Sequence, residues 1–138
     1  MKALNKQTGK ILEILLSKFG EDLEYLKIES GGYMPLVIEK LGRETLIEGK
    51  VHQNLSLAHY GEMNGDVMRD PEMCFYYTKD MEFKPYYFRN DYLGFEQWSV
   101  EYGPSGEIKS EYLGRQSEHV QYASSWMKIL RLNGFLSP

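Results

Sequence analysis

The feature that most constrains the fold is the tripeptide Asn64-Gly65-Asp66, which separates two runs of β-forming residues, 55–63 and 67–78. Asn-Gly and Gly-Asp pairs favour the tight turns of β-hairpins, because these residues adopt positive φ at little cost. The segment therefore predicts two antiparallel strands joined by a short turn.

Further β-type runs, each bounded by turn residues, lie on both sides of this hairpin. They cover residues 25–29, 36–41 and 45–52 before it, and residues 86–92 and 95–102 after it. Together with the hairpin they predict an antiparallel sheet of about six strands, arranged as a meander of hairpins.

Helical periodicity is confined to the two ends of the chain. Residues 6–19 and 117–133 each repeat apolar side chains at the spacing of one helical stripe, and Gly20 and Gly134 can end the two helices. The sequence thus predicts an α+β fold in which an N-terminal and a C-terminal helix flank the sheet. Since no repeat or linker interrupts residues 1–138, we expect a single domain.

Composition excludes several classes of protein. Of the 138 residues, 42% are hydrophobic, which predicts a folded chain, and the net charge of −4 comes from intermixed charges without a basic stripe for phosphates. Cys74 falls among apolar strand residues without a CxxC partner, which predicts a buried, inert thiol. Because it is the only cysteine, an intrachain disulfide and a cysteine-based zinc cluster are excluded. We expect a cytosolic protein without a signal peptide, membrane anchor or cofactor.

Polar residues on the predicted hairpin form the strongest candidate site. If residues 64–65 make the turn, His59 lies opposite Asp70. If residues 65–66 make it, His59 lies opposite Glu72. Because side chains alternate along a strand, both registers place all three on one face, away from the more apolar face expected to pack on the helices.

Two interpretations of this group remain open. An imidazole beside two carboxylates could bind a divalent metal or act as a general base, as in a small metal-dependent hydrolase or nuclease. Alternatively, the same residues stabilise the hairpin through cross-strand ion pairs and local backbone bonds. This second interpretation is favoured, because such residues recur in ordinary hairpins.

Pro71 indicates an edge strand, a strand start or a bulge, and a bulge would move Glu72 to the other face. The candidate functional face comprises His59, Asn64, Asp66, Arg69, Asp70 and Glu72.

Aromatic residues are numerous, with eleven tyrosines, six phenylalanines and two tryptophans, and they crowd residues 86–102. Aromatic side chains on an open sheet stack bases in proteins that bind single strands. Few lysines and arginines are interleaved here, so packing and contact with protein are favoured over nucleic-acid binding. The candidate aromatic contact surface consists of Tyr86, Tyr92 and Trp98.

One motif runs through the hairpin, and scattered residues extend it over most of the chain. It comprises His59-Tyr60, Asn64-Gly65-Asp66, Met68, Asp70-Pro71-Glu72-Met73 and Phe75, extended by Gly32-Tyr33-Met34, Leu36, Glu39, Asn90-Asp91, Leu93-Gly94, Trp126-Met127 and Gly134-Phe135. With these residues the chain resembles a family of small, uncharacterised bacterial proteins and domains found largely on phage-like and conjugative elements. The resemblance implies a mobile-element context, and it supplies no activity, cofactor or catalytic residue.

These observations predict a non-enzymatic accessory or binding domain that uses the hairpin face and exposed aromatic residues. Its expected partner is a protein or a second copy of the chain, and neither nucleic acid nor a membrane is expected. The alternative function is a divalent-metal-dependent hydrolase or nuclease with His59, Asp70 and Glu72 as ligands.

Overall fold

The computed structural model describes residues 1–20 and 23–137. Within these residues the chain forms two helices and nine strands, which confirms the α+β class. In chain order they are α1 Lys6–Leu16, β1 Tyr25–Ile28, β2 Leu36–Lys40, β3 Thr45–Ile47, β4 Lys50–Met63, β5 Asp66–Tyr77, β6 Phe83–Asn90, β7 Phe95–Trp98, β8 Val100–Tyr102, β9 Ile108–Glu111 and α2 Leu113–Leu132.

The main sheet is antiparallel and has the order β1-β2-β4-β5-β6-β7, with the short strand β3 paired to one end of β4. Strands β4 and β5 are the longest and lie at its centre. Strands β8 and β9 form a separate two-stranded hairpin. The edges of the main sheet are therefore β1 on one side and β7 on the other.

Three strand boundaries differ from the sequence prediction. Residues 45–52 were expected as one strand, but the chain turns at Glu48 and Gly49, whose φ angles of 52° and 76° close the β3–β4 hairpin. Residues 95–102 are divided at Ser99, and residues 108–111 form a strand that was not predicted. The turn at Glu48 was missed because glutamate is rare at positive φ.

Helix α1 begins at Asn5, whose side chain caps the helix by accepting the Thr8 backbone N–H at 2.9 Å. The helix ends at Leu16, three residues before the predicted boundary. Helix α2 is followed by Gly134 at φ 86°, and the Phe135 N–H donates to the Leu130 carbonyl at 3.1 Å. This arrangement satisfies the terminal carbonyl groups of α2 in the way that a C-terminal glycine predicts.

Both helices pack on one face of the main sheet, here called the helix face. The apolar stripes of α1 and α2 meet side chains from β2, β4, β5 and β6 in the larger core cluster. Its fully buried members include Leu12, Leu57, Phe75, Met127 and Phe135. None of the described helices is long and apolar enough to cross a membrane.

The opposite face of the main sheet, here called the open face, carries a smaller cluster. Cys74, Tyr76, Tyr86 and Tyr87 lie on this face and pack with Val100 of the β8–β9 hairpin. The hairpin covers only part of the face. Polar side chains of β4, β5 and β6 occupy the remainder, next to the uncovered edge at β7.

Candidate functional site

The central hairpin turns where the sequence predicted. Asn64 and Gly65 occupy the turn with φ angles of 53° and 86°, and Met63 pairs with Asp66. Of the two registers considered, the structure therefore has the one with residues 64–65 in the turn. Asn64 and Asp66 lie at the exposed tip, away from the other polar residues of the predicted face.

A bulge breaks this register nearer the sheet centre. Tyr60 pairs with Arg69, whereas Ala58 pairs with Glu72, so His59 alone faces two residues of β5. The extra residue turns Glu72 to the open face while His59 stays on the helix face. The expectation that His59 and Glu72 share one face is therefore wrong, and a bulge at Pro71 is the reason.

The imidazole of His59 is enclosed by aromatic rings and backbone. Its ring centroid lies 5.6 Å from that of Trp126 and 5.5 Å from that of Phe135. Its Nδ1 lies 3.2 Å from the Pro35 carbonyl oxygen, to which it donates. Burial lowers the pKa of His59, although its backbone hydrogen bonds and the charge of Asp70 oppose the shift. His59 thus packs on α2 as a neutral ring.

Asp70 lies on the helix face and links two strands. Its Oδ1 accepts a hydrogen bond from Asn90 Nδ2 at 2.8 Å, and the Leu93 N–H donates to Asn90 Oδ1 at 3.2 Å. Asp70 therefore holds the start of the β6–β7 turn against β5.

Glu72 belongs to a network of ion pairs on the open face. Its Oε2 accepts the Ser56 hydroxyl at 2.7 Å, and its Oε1 lies 3.3 Å from Arg69 Nε. Arg89 Nε donates to Asp91 Oδ1 at 2.7 Å, and Arg89 Nη1 lies 3.5 Å from Glu96 Oε2. Each carboxylate in this chain of contacts already faces a guanidinium group.

Asp91 joins the two arginines of this network. The Arg69 backbone N–H donates to its Oδ2 at 2.8 Å, and this bond, together with Arg89, lowers the pKa of Asp91. The carboxylate is thus held in its charged form, which suits an ion pair and not a proton acceptor.

Metal ligation was the alternative use of His59, Asp70 and Glu72. Across residues 1–20 and 23–137, no three side chains of His, Cys, Asp or Glu come together in a way that could hold a metal ion. His59, Asp70 and Glu72 do not form such a group, because the bulge separates Glu72 from His59.

The three residues of the expected aromatic surface have different environments. Tyr86 is buried, stacks on Tyr76 with ring centroids 4.0 Å apart, and donates its hydroxyl to Asn54 Oδ1 at 2.6 Å. Tyr92 is exposed in the β6–β7 turn. Trp98 is 43% exposed at the end of β7. Tyr86 is therefore not part of a contact surface, because the β8–β9 hairpin and its neighbours cover it.

Strand β7 leaves its outer edge without a neighbouring strand in the part of the chain that the structure describes. The Ser99 N–H donates inward to the Tyr86 carbonyl at 2.9 Å. Strand alternation therefore directs the backbone groups of Glu96 and Trp98 outward. The Trp98 carbonyl accepts from Arg115 Nη1 at 3.0 Å. Within residues 1–20 and 23–137, no strand pairs with the other outward backbone groups of Glu96 and Trp98.

A groove of about 670 Å³ follows this edge. Aromatic side chains form much of its lining, with Phe95 and Trp98 at 42% and 43% exposure. The groove is lined by Phe95, Glu96, Gln97, Trp98, Val100, Glu101, Tyr102, Tyr112 and Arg115. Of these residues the sequence singled out only Trp98 as a site residue.

A smaller pocket lies on the helix side of the same strand, between β7 and α2. It is lined by Phe88, Phe95, Gln97, Glu118, His119 and Tyr122 and has a volume of about 190 Å³. Neither His119 nor Tyr122 was among the site residues predicted from the sequence. The available signal was the three-residue spacing of His119 and Tyr122, which places both on one side of a helix.

Fold and site together define a two-helix α+β domain whose distinctive feature is an uncovered, aromatic-lined sheet edge. Comparison with protein families finds that residues 1–136 match the family described as a domain of unknown function (DUF6908). The chain belongs to this family. No curated protein and no solved structure matches it.

Proposed function

We propose that this chain is a cytosolic, non-enzymatic accessory protein of a mobile genetic element, and that it binds an extended segment of a partner protein as an added strand on β7. The outer edge of β7 is the observation that carries the binding proposal. The mobile-element context rests on the sequence resemblance centred on residues 59–75.

An uncovered edge strand offers backbone donors and acceptors to another chain. Peptides that add to a sheet edge gain affinity from main-chain hydrogen bonds and specificity from pockets for alternate side chains. On β7, Glu96 and Trp98 point to the open face and Phe95 and Gln97 to the helix face, so pockets exist on both sides of the edge.

The composition of the groove suits a protein partner. Aromatic residues and arginine are enriched at protein interfaces, and Phe95, Trp98, Tyr112 and Arg115 line the groove. The acids beside them are already paired, because Arg89 lies 3.5 Å from Glu96 and Lys109 lies 3.6 Å from Glu101. Recognition here therefore depends on main-chain bonds and ring contacts more than on charge.

The test uses peptides selected against the full chain from a random-peptide phage library. Each selected peptide is then synthesised in two forms. One is N-methylated at the odd-numbered backbone amides, and the other at the even-numbered ones. Strand addition uses only the amides that face β7, so one form loses binding and the other retains it. Isothermal titration calorimetry measures both affinities.

Variants of the protein locate the site. Trp98→Ala removes an exposed ring from the groove and is expected to weaken peptide binding by about tenfold or more. Tyr25→Ala is the matched control, since Tyr25 is an exposed ring on β1 at the other edge of the sheet. Strand addition on β7 would be overturned if both methylated peptides bound with equal affinity. It would also be overturned if Trp98→Ala bound the unmethylated peptide as tightly as the unaltered chain does.

A second copy of the chain is the alternative occupant of the edge. Pairing of β7 with β7 of another molecule would produce a dimer with an interface centred on Trp98. Light scattering after size exclusion measures the mass in solution. A dimer that Trp98→Ala converts to a monomer would identify the partner as this chain itself.

A further inference from the structure

The outer edge of β7 ends beside the first turn of α2. The Tyr112 N–H donates to the Ser99 carbonyl at 2.9 Å, and Arg115 Nη1 donates to the Trp98 carbonyl at 3.0 Å. We propose that this end of the edge binds the free C-terminal carboxylate of a partner polypeptide, whose last residues add parallel to β7. The inference rests on the proposed strand addition and identifies the part of the partner that is added.

Four backbone groups of β7 face outward, and one of them is already bonded. These groups are the N–H and C=O of Glu96 and of Trp98, and Arg115 donates to the Trp98 carbonyl. A strand that continued past Trp98 in either direction would bring an amide N–H into competition with Arg115 for this acceptor. A polypeptide that ends here brings no such amide, so the geometry favours a chain end.

The charge of Arg115 selects which chain end is bound. A parallel partner places its C-terminus next to Trp98, whereas an antiparallel partner places its N-terminus there. The guanidinium attracts a carboxylate and repels an N-terminal ammonium group. The favoured end is therefore the C-terminus, and the favoured direction is parallel.

The parallel register gives every free backbone group of this edge a partner. The last residue donates its N–H to the Glu96 carbonyl, and one of its carboxylate oxygens accepts the Trp98 N–H. The residue two positions earlier accepts the Glu96 N–H through its carbonyl. The second carboxylate oxygen then lies on the side of Arg115, which supplies charge-assisted hydrogen bonds.

Arg115 is the one charged residue of the groove lining that has no oppositely charged partner in the described part of the chain. The other two charged residues of the lining are Glu96, which lies 3.5 Å from Arg89, and Glu101, which lies 3.6 Å from Lys109. Arg115 is also exposed, so a ligand reaches it without any rearrangement. The end of β7 therefore presents an uncompensated, accessible positive charge.

The Arg115 guanidinium is held in place before any ligand binds. Its Cζ lies 5.3 Å from the centroid of the Tyr112 ring, and the Tyr112 hydroxyl donates to Glu101 Oε2 at 3.2 Å. Nη1 donates to the Trp98 carbonyl, which leaves the other N–H groups for a ligand. Carboxylates match the planar fork of a guanidinium, and a fork that is already positioned loses little side-chain freedom on binding.

The side chain of the last residue reaches the pocket between β7 and α2. In the parallel register this residue lies beside Gln97, whose side chain points to the helix face. The pocket encloses about 190 Å³, and Phe88, Phe95 and Tyr122 form much of its lining. Pockets for drug-sized ligands enclose roughly 300–1,000 Å³, so this one suits a single side chain. Because the rings of Phe95 and Tyr122 are exposed, we expect a large apolar residue at the end of the partner.

Two random-peptide phage libraries test the preference for a chain end on the full protein. In one library the random segment forms the free C-terminus of a coat protein, and in the other it lies between fixed flanking sequences. Selection should enrich the first library, with large apolar residues at the last position. Binding peptides from the internal library alone would overturn the C-terminal assignment and leave strand addition intact.

Matched synthetic peptides measure the contribution of the carboxylate. Each selected sequence is made as the free acid, as the C-terminal amide and with one glycine appended, and isothermal titration calorimetry measures the affinities. Amidation removes the charge, and the added glycine moves the carboxylate past Arg115, so each change should weaken binding at least about fivefold. Equal affinity of the acid and the amide would overturn the inference, although strand addition would stand.

Variants assign this effect to Arg115. Arg115→Gln removes the charge and keeps an amide N–H for the Trp98 carbonyl, so the free acid should bind at least about fivefold more weakly and the amide as before. Arg131→Gln, at an exposed arginine in the last turn of the same helix, is the matched control and should bind both peptides normally. Equal weakening of both peptides by Arg115→Gln would indicate a purely structural role and overturn the inference.

A nitroxide label at the N-terminus of the peptide tests the direction of addition. In parallel addition the label lies near the β6–β7 turn, so it should broaden the NMR signals of Leu93 and Gly94 more than those of Tyr112 and Arg115. The reverse pattern would identify antiparallel addition and overturn the carboxylate assignment, but not strand addition itself. If neither library yields a binding peptide, the proposed function and this inference fail together.

Discussion

Cys74 lies on the open face between Glu72 and Tyr76, in the middle of β5. Its side chain is buried, and burial, together with the charge of Glu72, raises the pKa of the thiol to about 12. A thiol reacts as its thiolate, which is almost absent here at neutral pH. The sequence predicted an inert cysteine from its apolar neighbours, and its surroundings agree with that expectation.

Cys74 should therefore not react with a thiol reagent in the native protein at about pH 7.5. Mass spectrometry after exposure to iodoacetamide measures the modified fraction, which should become complete only in denaturant. Cys74→Ser/Ser105→Cys moves the thiol to an exposed turn and is the positive control. Native labelling of Cys74 at the control's rate would show that the thiol is accessible.

His59 shows what sequence alone does not determine for a single residue. Its place on β4 was predicted, and the register at the hairpin tip is one of the two that the sequence left open. Its environment was not, because one extra residue opposite it reversed the face of Glu72 and left the imidazole against Trp126 and Phe135. Pro71 indicated a possible bulge, but only the tertiary contacts establish that one formed.

At the scale of elements, turns with strong residue signals were predicted and turns without them were not. The turn within residues 64–66 was predicted, with Asn64-Gly65 as one of two placements. Glu48-Gly49 closes a similar tight hairpin without asparagine or aspartate at its first position, and it was not predicted. Helical periodicity predicted both helices, and the predicted boundaries differ from the observed ones by a few residues. The β7–β8 break at Ser99 was missed, because it depends on the separate β8–β9 hairpin and not on a local breaker.

The turn at Gly65 provides a test at this scale. Its φ of 86° is strained for a residue with a Cβ, so Gly65→Ala should lower the free energy of unfolding by about 1 kcal/mol. Urea denaturation at fixed pH measures this difference.

Gly32→Ala is the matched control for that experiment. Gly32 has no positive φ, and an added Cβ would meet no atom within 4 Å. Its free energy of unfolding should change by less than about 0.5 kcal/mol. Equal losses in the two variants would mean that conformation at residue 65 does not limit the stability of the hairpin.

At the scale of the whole molecule, the three histidines lie in different parts of the fold, His52 and His119 buried and His59 half-buried. His52 is buried with its Nε2 2.9 Å from Lys84 Nζ, His59 lies against α2, and His119 lies under β7. Burial lowers the pKa of each one. Protonation of His52 would also place two cations side by side.

These shifts make the folded state sensitive to acid. A histidine whose pKa is lower in the folded state than in the unfolded chain contributes stability above the unfolded pKa of 6.5. That stability is lost as the pH falls from 6.5 toward the folded-state value. For His119, with a pKa of about 4, the loss amounts to at most about 3 kcal/mol.

The free energy of unfolding, measured by urea denaturation between about pH 7.5 and 4.5, should therefore decline steeply below pH 6.5. His119→Gln removes one titrating group, so its slope should be smaller by up to about 1.4 kcal/mol per pH unit, even where its stability at pH 7.5 is lower. Gln121→Ala changes an exposed, non-titrating residue of the same helix and should keep the full slope. If His119→Gln also keeps the full slope, His119 is protonated in the folded state without a penalty.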